Sequence, residues 1–161
     1  MRMIAKLLIG LLLMASTTLP SGARDGFTMG ATTQKFFPGK EVVIESVSPI
    51  SPWAVVFEDD GATGYLYAVD HVKLESGGDS ILEAMHIYNA ENVTDADKES
   101  EVSILWSADG LKICLLINDY PHAVFDFDAK RGYCRNNFPK PLNWTNHDFR
   151  WDDRVLEYFR K

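Results

Sequence analysis

Cysteine and basic residues are both scarce in this chain. Cysteine occurs twice, at Cys114 and Cys134, which excludes a small fold stapled by several disulfides. Lys and Arg number 16 against 23 Asp and Glu, for a net charge of −7. A surface this acidic repels nucleic acid and anionic lipid, so neither is an expected partner. Long apolar runs are missing as well. The stretch Leu7-Leu8-Ile9-Gly10-Leu11-Leu12-Leu13-Met14 falls well short of the ~20 residues a membrane-spanning helix needs. Catalytic and metal signatures are absent too. None of His71, His86, His122 and His147 stands in a ligand spacing such as His-Glu-x-x-His. Ser103 and Ser107 lack the glycines of a nucleophile elbow. No metal site or cofactor is therefore expected.

What is present at the N-terminus has the order of a secretory signal. Arg2 and Lys6 precede the apolar run, Pro20 follows it, and Ser21-Gly22-Ala23 offers small residues before a cut after Ala23. The expectation is a signal peptide over residues 1–23 and a periplasmic or secreted product with no membrane span after cleavage. Losing Arg2 and Lys6 takes the net charge from −7 to −9. Residues 24–40, polar and without period, are expected to form a flexible lead to one domain over residues 41–161.

Within that domain, a hydrophobic fraction of 46% with 12% aromatics fills a core and argues against disorder. Residues 41–48 (EVVIESVS), 53–57 (WAVVF) and 64–69 (GYLYAV) are β-branched or aromatic and read as strands. Residues 71–80 read as a polar loop. Residues 81–88 divide between helix and strand signals. The runs 101–106 and 111–117 flank Ser107-Ala108-Asp109-Gly110, the clearest hairpin in the chain. Strands at 122–127 and 133–137 follow. At the C-terminus Val155, Leu156, Tyr158 and Phe159 share one face at helical spacing, and a helix of about two turns must pack to persist. The fold class is α+β, mostly β: an antiparallel meander forming a curled sheet, with one short C-terminal helix. Several strands are apolar on both faces, so both sides of the sheet must be covered.

If residues 112–117 pair with 122–127, and these with 133–137, the two cysteines lie two strands apart. At ~4.8 Å per strand their Cα atoms are then roughly 9–10 Å apart, beyond the ~7 Å limit of a disulfide. A bridge would require another strand order.

The acidic groups are the remaining candidates. Glu58, Asp59 and Asp60 flank one turn, and Asp126 and Asp128 flank another. Asp95, Asp97 and Glu99 alternate like the start of a calcium loop, but Ser100 stands where its glycine belongs. His122 and Asp126 share a strand face, separated by about 13 Å. Trp144, Phe149, Trp151, Tyr158 and Phe159 form an aromatic tail that suits a lid on the core or the lining of a groove.

From Pro52 onward the chain resembles a small bacterial family of uncharacterised proteins, a domain of unknown function. Residues 52–61 (PWAVVFEDDG), 116–127 (LINDYPHAVFDF) and Gly132-Tyr133-Cys134-Arg135 carry the resemblance, which spans about residues 50–160. It implies no activity, cofactor or catalytic residue. Size, export, acidity and the missing motifs lead to a protein-binding module, such as an immunity-type inhibitor of an antibacterial toxin. Its basic protein partner would meet Glu58, Asp59, Asp60, Asp126 and Asp128. Two alternatives stand beside it: a binder of a small ligand or envelope polymer through the aromatic tail, and a hydrolase using Asp126, Asp128 and His122. Oligomeric state is not legible.

Overall fold

The computed structural model describes residues 28–145 and 147–159. The predicted signal segment lies outside them. Nine strands run in the order β1 (Thr28–Phe36), β2 (Val42–Val47), β3 (Trp53–Asp59), β4 (Thr63–Asp70), β5 (Ile81–Asn89), β6 (Ser100–Ser107), β7 (Lys112–Ile117), β8 (Tyr120–Asp126) and β9 (Arg131–Cys134). A short helix α1 (His71–Glu75) follows β4, and a 3-10 helix covers Asp153–Phe159.

The class is mostly β and antiparallel, as the strand pattern indicates. The sheet divides in two instead of curling as one. A four-stranded sheet has the order β2-β3-β4-β5, and a five-stranded sheet has the order β1-β6-β7-β8-β9. The chain changes layer twice, at residues 37–41 between β1 and β2 and at residues 90–99 between β5 and β6. The sheets do not close into a barrel. Their inner faces share a core that includes Val55, Phe57, Leu66 and Met85 from one sheet, and Ile104, Trp106, Ile113, Leu115 and Phe125 from the other. A polar tie crosses the sandwich: Trp106 Nε1 donates to Ser46 Oγ at 3.0 Å, and Thr32 Oγ1 donates to the same oxygen at 2.8 Å.

The outer faces explain the strands that are apolar on both sides. Alternation sends Ala54 and Val56 of β3 outward, where Tyr67, Val69 and Leu74 of α1 bury them. On the other sheet Cys114, Val124 and Tyr133 lie under Val155, with Leu156 and Phe159 packed beside it. The C-terminal segment therefore packs as expected, but as a 3-10 helix. Tyr158 stays exposed, with the Lys112 ammonium 5.3 Å from its ring centre.

Two expectations are corrected. Residues 28–36 are not a mobile lead: they form β1, paired antiparallel with β6 from Thr28 opposite Ser107 to Phe36 opposite Ser100. Polar side chains hid it, because Thr33 and Lys35 of this edge strand face water. Residues 71–75 form α1 within the expected loop, started by Asp70, whose carboxylate accepts from the Lys73 N–H at 3.1 Å. The ambiguous residues 81–88 fall within strand β5.

The strand map places the cysteines as expected, in β7 and β9 on either side of β8, and both thiols are free and buried. Alternation also turns them to opposite faces. Cys134 belongs to the central core, whereas Cys114 belongs to the outer layer under Val155.

Candidate interaction surface

The five acidic residues singled out above do not form one face. Asp59, the last residue of β3, is 1% exposed. Its carboxylate accepts from the Gly39 N–H at 2.7 Å, the Gly61 N–H at 2.8 Å and the Tyr88 hydroxyl at 2.6 Å. That geometry fixes the β1–β2 and β3–β4 turns and leaves nothing for a partner. Burial and the hydrogen bond to Asp59 raise the Tyr88 pKa, so its hydroxyl stays a donor. Glu58 points to the opposite face, where it is buried and bonded to the Tyr67 hydroxyl. Asp60 accepts from the Ala62 and Thr63 N–H groups at 3.0 and 2.8 Å. Partial burial opposes its ionisation, but these turn bonds outweigh burial and lower its pKa. This is the chemistry of a tight turn.

Asp126 and Asp128 belong to the other sheet. Asp126 is buried and accepts from the Ala129 N–H at 2.9 Å, closing the β8–β9 turn, while Asp128 is exposed. His122 is half-buried beside the Tyr120 ring at 5.3 Å, and burial, then the nearby Arg135 charge, lowers its pKa. Its neighbours are thus a ring and a cation, and the geometry does not bring it into contact with Asp126 or Asp128. His71 lies 3.5 Å from both Glu45 and Glu75. His86 bridges Asn89 and Asn136 at 2.9 and 3.0 Å, and His147 is exposed. Asp95 and Glu99 pair with Lys98 and Lys35 in solvent. Among the described residues no three His, Cys, Asp or Glu side chains gather as a metal site.

The aromatic tail divides its roles. Phe149 is fully buried, and Trp144 stacks on Phe125 at 5.6 Å, so both close the core. Glu83 holds Trp144's loop down: its buried carboxylate accepts from the Leu142 and Thr145 N–H groups at 2.8 and 3.1 Å. Trp151 instead lines an open groove of about 600 Å³ with Arg131, Asp148, Arg150, Asp152 and Arg154. The groove's charges are largely matched internally, as in the Arg154–Asp152 pair at 2.6 Å.

Charge is segregated by sheet. Residues 41–97, which hold the whole four-stranded sheet and part of the crossover after it, carry twelve of the 23 acidic side chains and one basic one, Lys73; nine of the twelve lie in residues 41–89, and Glu58, Asp59 and Glu83 among these are buried. The rest of the chain carries eleven acids and fifteen Lys or Arg. The negative field therefore belongs to one layer of the sandwich. Neither β2, β3, β4 nor β5 contains a Lys or Arg.

Fold and surface together define a small two-layer antiparallel β protein with one acidic layer. The chain belongs to a family described as an uncharacterized protein conserved in bacteria (DUF2251), whose pattern matches residues 36–160. It is similar to an uncharacterized protein of Haemophilus influenzae, 42% identical over 99 residues. That alignment covers 60% of this chain and 60% of the relative's length. No solved structure matches the chain. No helix among the described residues is long and apolar enough to cross a membrane.

Proposed function

We propose that this protein is an exported acidic protein-binding module, of the kind that acts as an immunity-type inhibitor of an antibacterial toxin. The observation that carries the reading is the charge segregation: residues 41–89, which span the four-stranded layer, hold nine acids against one lysine, and six of the nine are not buried. A one-signed layer steers a basic partner into an oriented encounter, which scattered charge does not. The partner meets that layer, not the five residues named from the sequence, since Asp59, Glu58 and Asp126 are spent on internal contacts. Export rests on the charged, apolar and small-residue order of residues 1–23.

The test uses the products of genes adjacent to this one. Each is purified and titrated with the protein, and each is expressed with and without it in a sensitive strain. One basic product should bind at micromolar affinity or tighter and lose its toxicity when this protein is co-exported. Absence of both binding and protection across the neighbourhood removes the proposal.

A further inference from the structure

A sheet edge presents unpaired N–H and C=O groups, and proteins normally guard such edges. Among the described residues, three of the four edges are covered or irregular. The edge of β5 is covered by the segment after β9: the His86 N–H donates to the Phe138 carbonyl at 2.9 Å, and Asn136 Nδ2 donates to the Ile87 carbonyl at 2.8 Å. The edge of β9 is met by the C-terminal segment, where the Cys134 N–H donates to the Phe149 carbonyl at 2.8 Å. The edge strand β1 carries a register irregularity near Gly30 and the charged Lys35.

Among the described residues strand β2 has no covering segment and no register irregularity, and its one charged side chain is Glu45. Its sequence, VVIESV, contains no Pro or Lys, and its register with β3 is unbroken from Val42 opposite Asp59 to Val47 opposite Ala54. The Ser48 N–H donates to the Trp53 carbonyl at 2.9 Å. Antiparallel pairing alternates, so the even-numbered residues bond to β3, and Val43, Glu45 and Val47 turn their N–H and C=O groups to the open side. The side chains of these three lie on the outer face. Val43 is 47% and Val47 40% exposed. Glu41 precedes the strand and Glu45 sits at its middle, within the acidic layer.

We infer that β2 is the docking strand: a partner adds an extended segment to its open edge, with basic side chains meeting Glu41 and Glu45 and apolar ones meeting Val43 and Val47. The occupant is a basic, strand-forming segment of another protein. Three residues with outward backbone groups set the contact length, and valine and glutamate in turn at every second position set apolar and basic side chains in turn at every second position of the partner. The inference rests on the proposed binding function and names its site.

The probe is an acetylated, amidated eight-residue peptide, Lys-Thr-Val-Thr-Lys-Thr-Val-Thr, which as a strand sets lysine and valine in turn along one face. Its control is the same peptide with every second backbone nitrogen methylated, which removes the donors a ladder needs. The readouts are amide shifts and amide exchange of the full-length protein. The valine–lysine peptide should shift and protect the amides of Val43, Glu45 and Val47, while the control should not. The double variant V43K/V47K, whose side chains face solvent, should weaken binding at least tenfold while its melting temperature stays close to the parent's. Protection elsewhere, equal binding by the control, or a parent already paired through β2 with a second copy would overturn the inference; amide exchange on the parent decides this even if the variant misfolds. An adjacent-gene product that binds parent and variant equally would refute the docking strand and leave the binding function intact. If neither that product nor the peptide binds, both fall.

Discussion

At the scale of single residues, the carboxylates that look most functional are the most structural. Removing Asp59 strands two N–H donors and the Tyr88 hydroxyl. Asp59→Ala should therefore cost about 2–4 kcal/mol in urea unfolding, because buried donors lose a charged acceptor. An unchanged midpoint would mean that Asp59 faces a partner after all. Asp109 gives a pH signature. Partial burial opposes its charge, but hydrogen bonds from Lys112, Ser107 and the Leu111 N–H outweigh it and hold its pKa at about 2, against an ordinary 3.8. A depressed carboxylate stabilises fully above its unfolded pKa and stops doing so as pH falls through its folded one. Its contribution should fade between about pH 4 and pH 2. Asp109→Asn should flatten the loss of stability over that window in pH-dependent melting, and a parallel curve would contradict the assignment. Sequence spacing alone could not separate these turn carboxylates from an interface, since both put acids beside Gly and Asn.

At the scale of elements, edges and covers decide how the sheets behave. The C-terminal segment is pinned by Phe149, whose ring lies where a Cβ on Gly132 would stand, 2.8 Å from its Cδ1. Phe149→Ala should cost about 3–5 kcal/mol as a buried-aromatic truncation. Gly132→Ala should cost about 1–3 kcal/mol by overpacking the same site. Denaturant titration checks both, and a neutral Gly132→Ala would show that the segment yields. Most strands were legible because their runs alternate or end at Gly, Pro, Asn or Asp. Strand β1 was not, because an edge strand with a wet outer face needs little apolar pattern. Helix α1 was missed because one buried residue, Leu74, is too few to make a period.

At the scale of the whole molecule, two layers separate what the sequence mixes. Cys114 and Cys134 are two strands apart and on opposite faces. Both thiols should stay free after air oxidation and react only on unfolding; a mass two daltons below the reduced protein's would contradict this. Burial pushes the Cys114 thiol up to about 12, which also suppresses its reactivity. The acidic half could be read from the counts over residues 41–97, but the counts do not reveal that these residues hold one sheet. Nor does the sequence show that β2 is its open edge. The measurement that bears most directly on the proposed function is calorimetric titration of the protein with the basic products of adjacent genes at low and high salt. One should bind at micromolar affinity or tighter, lose at least tenfold with added salt, and lose more when Glu45 is changed to Lys than when Glu101 of the other sheet is. Absence of any binding, or equal effects of the two reversals, would contradict an acidic four-stranded face as the site of recognition.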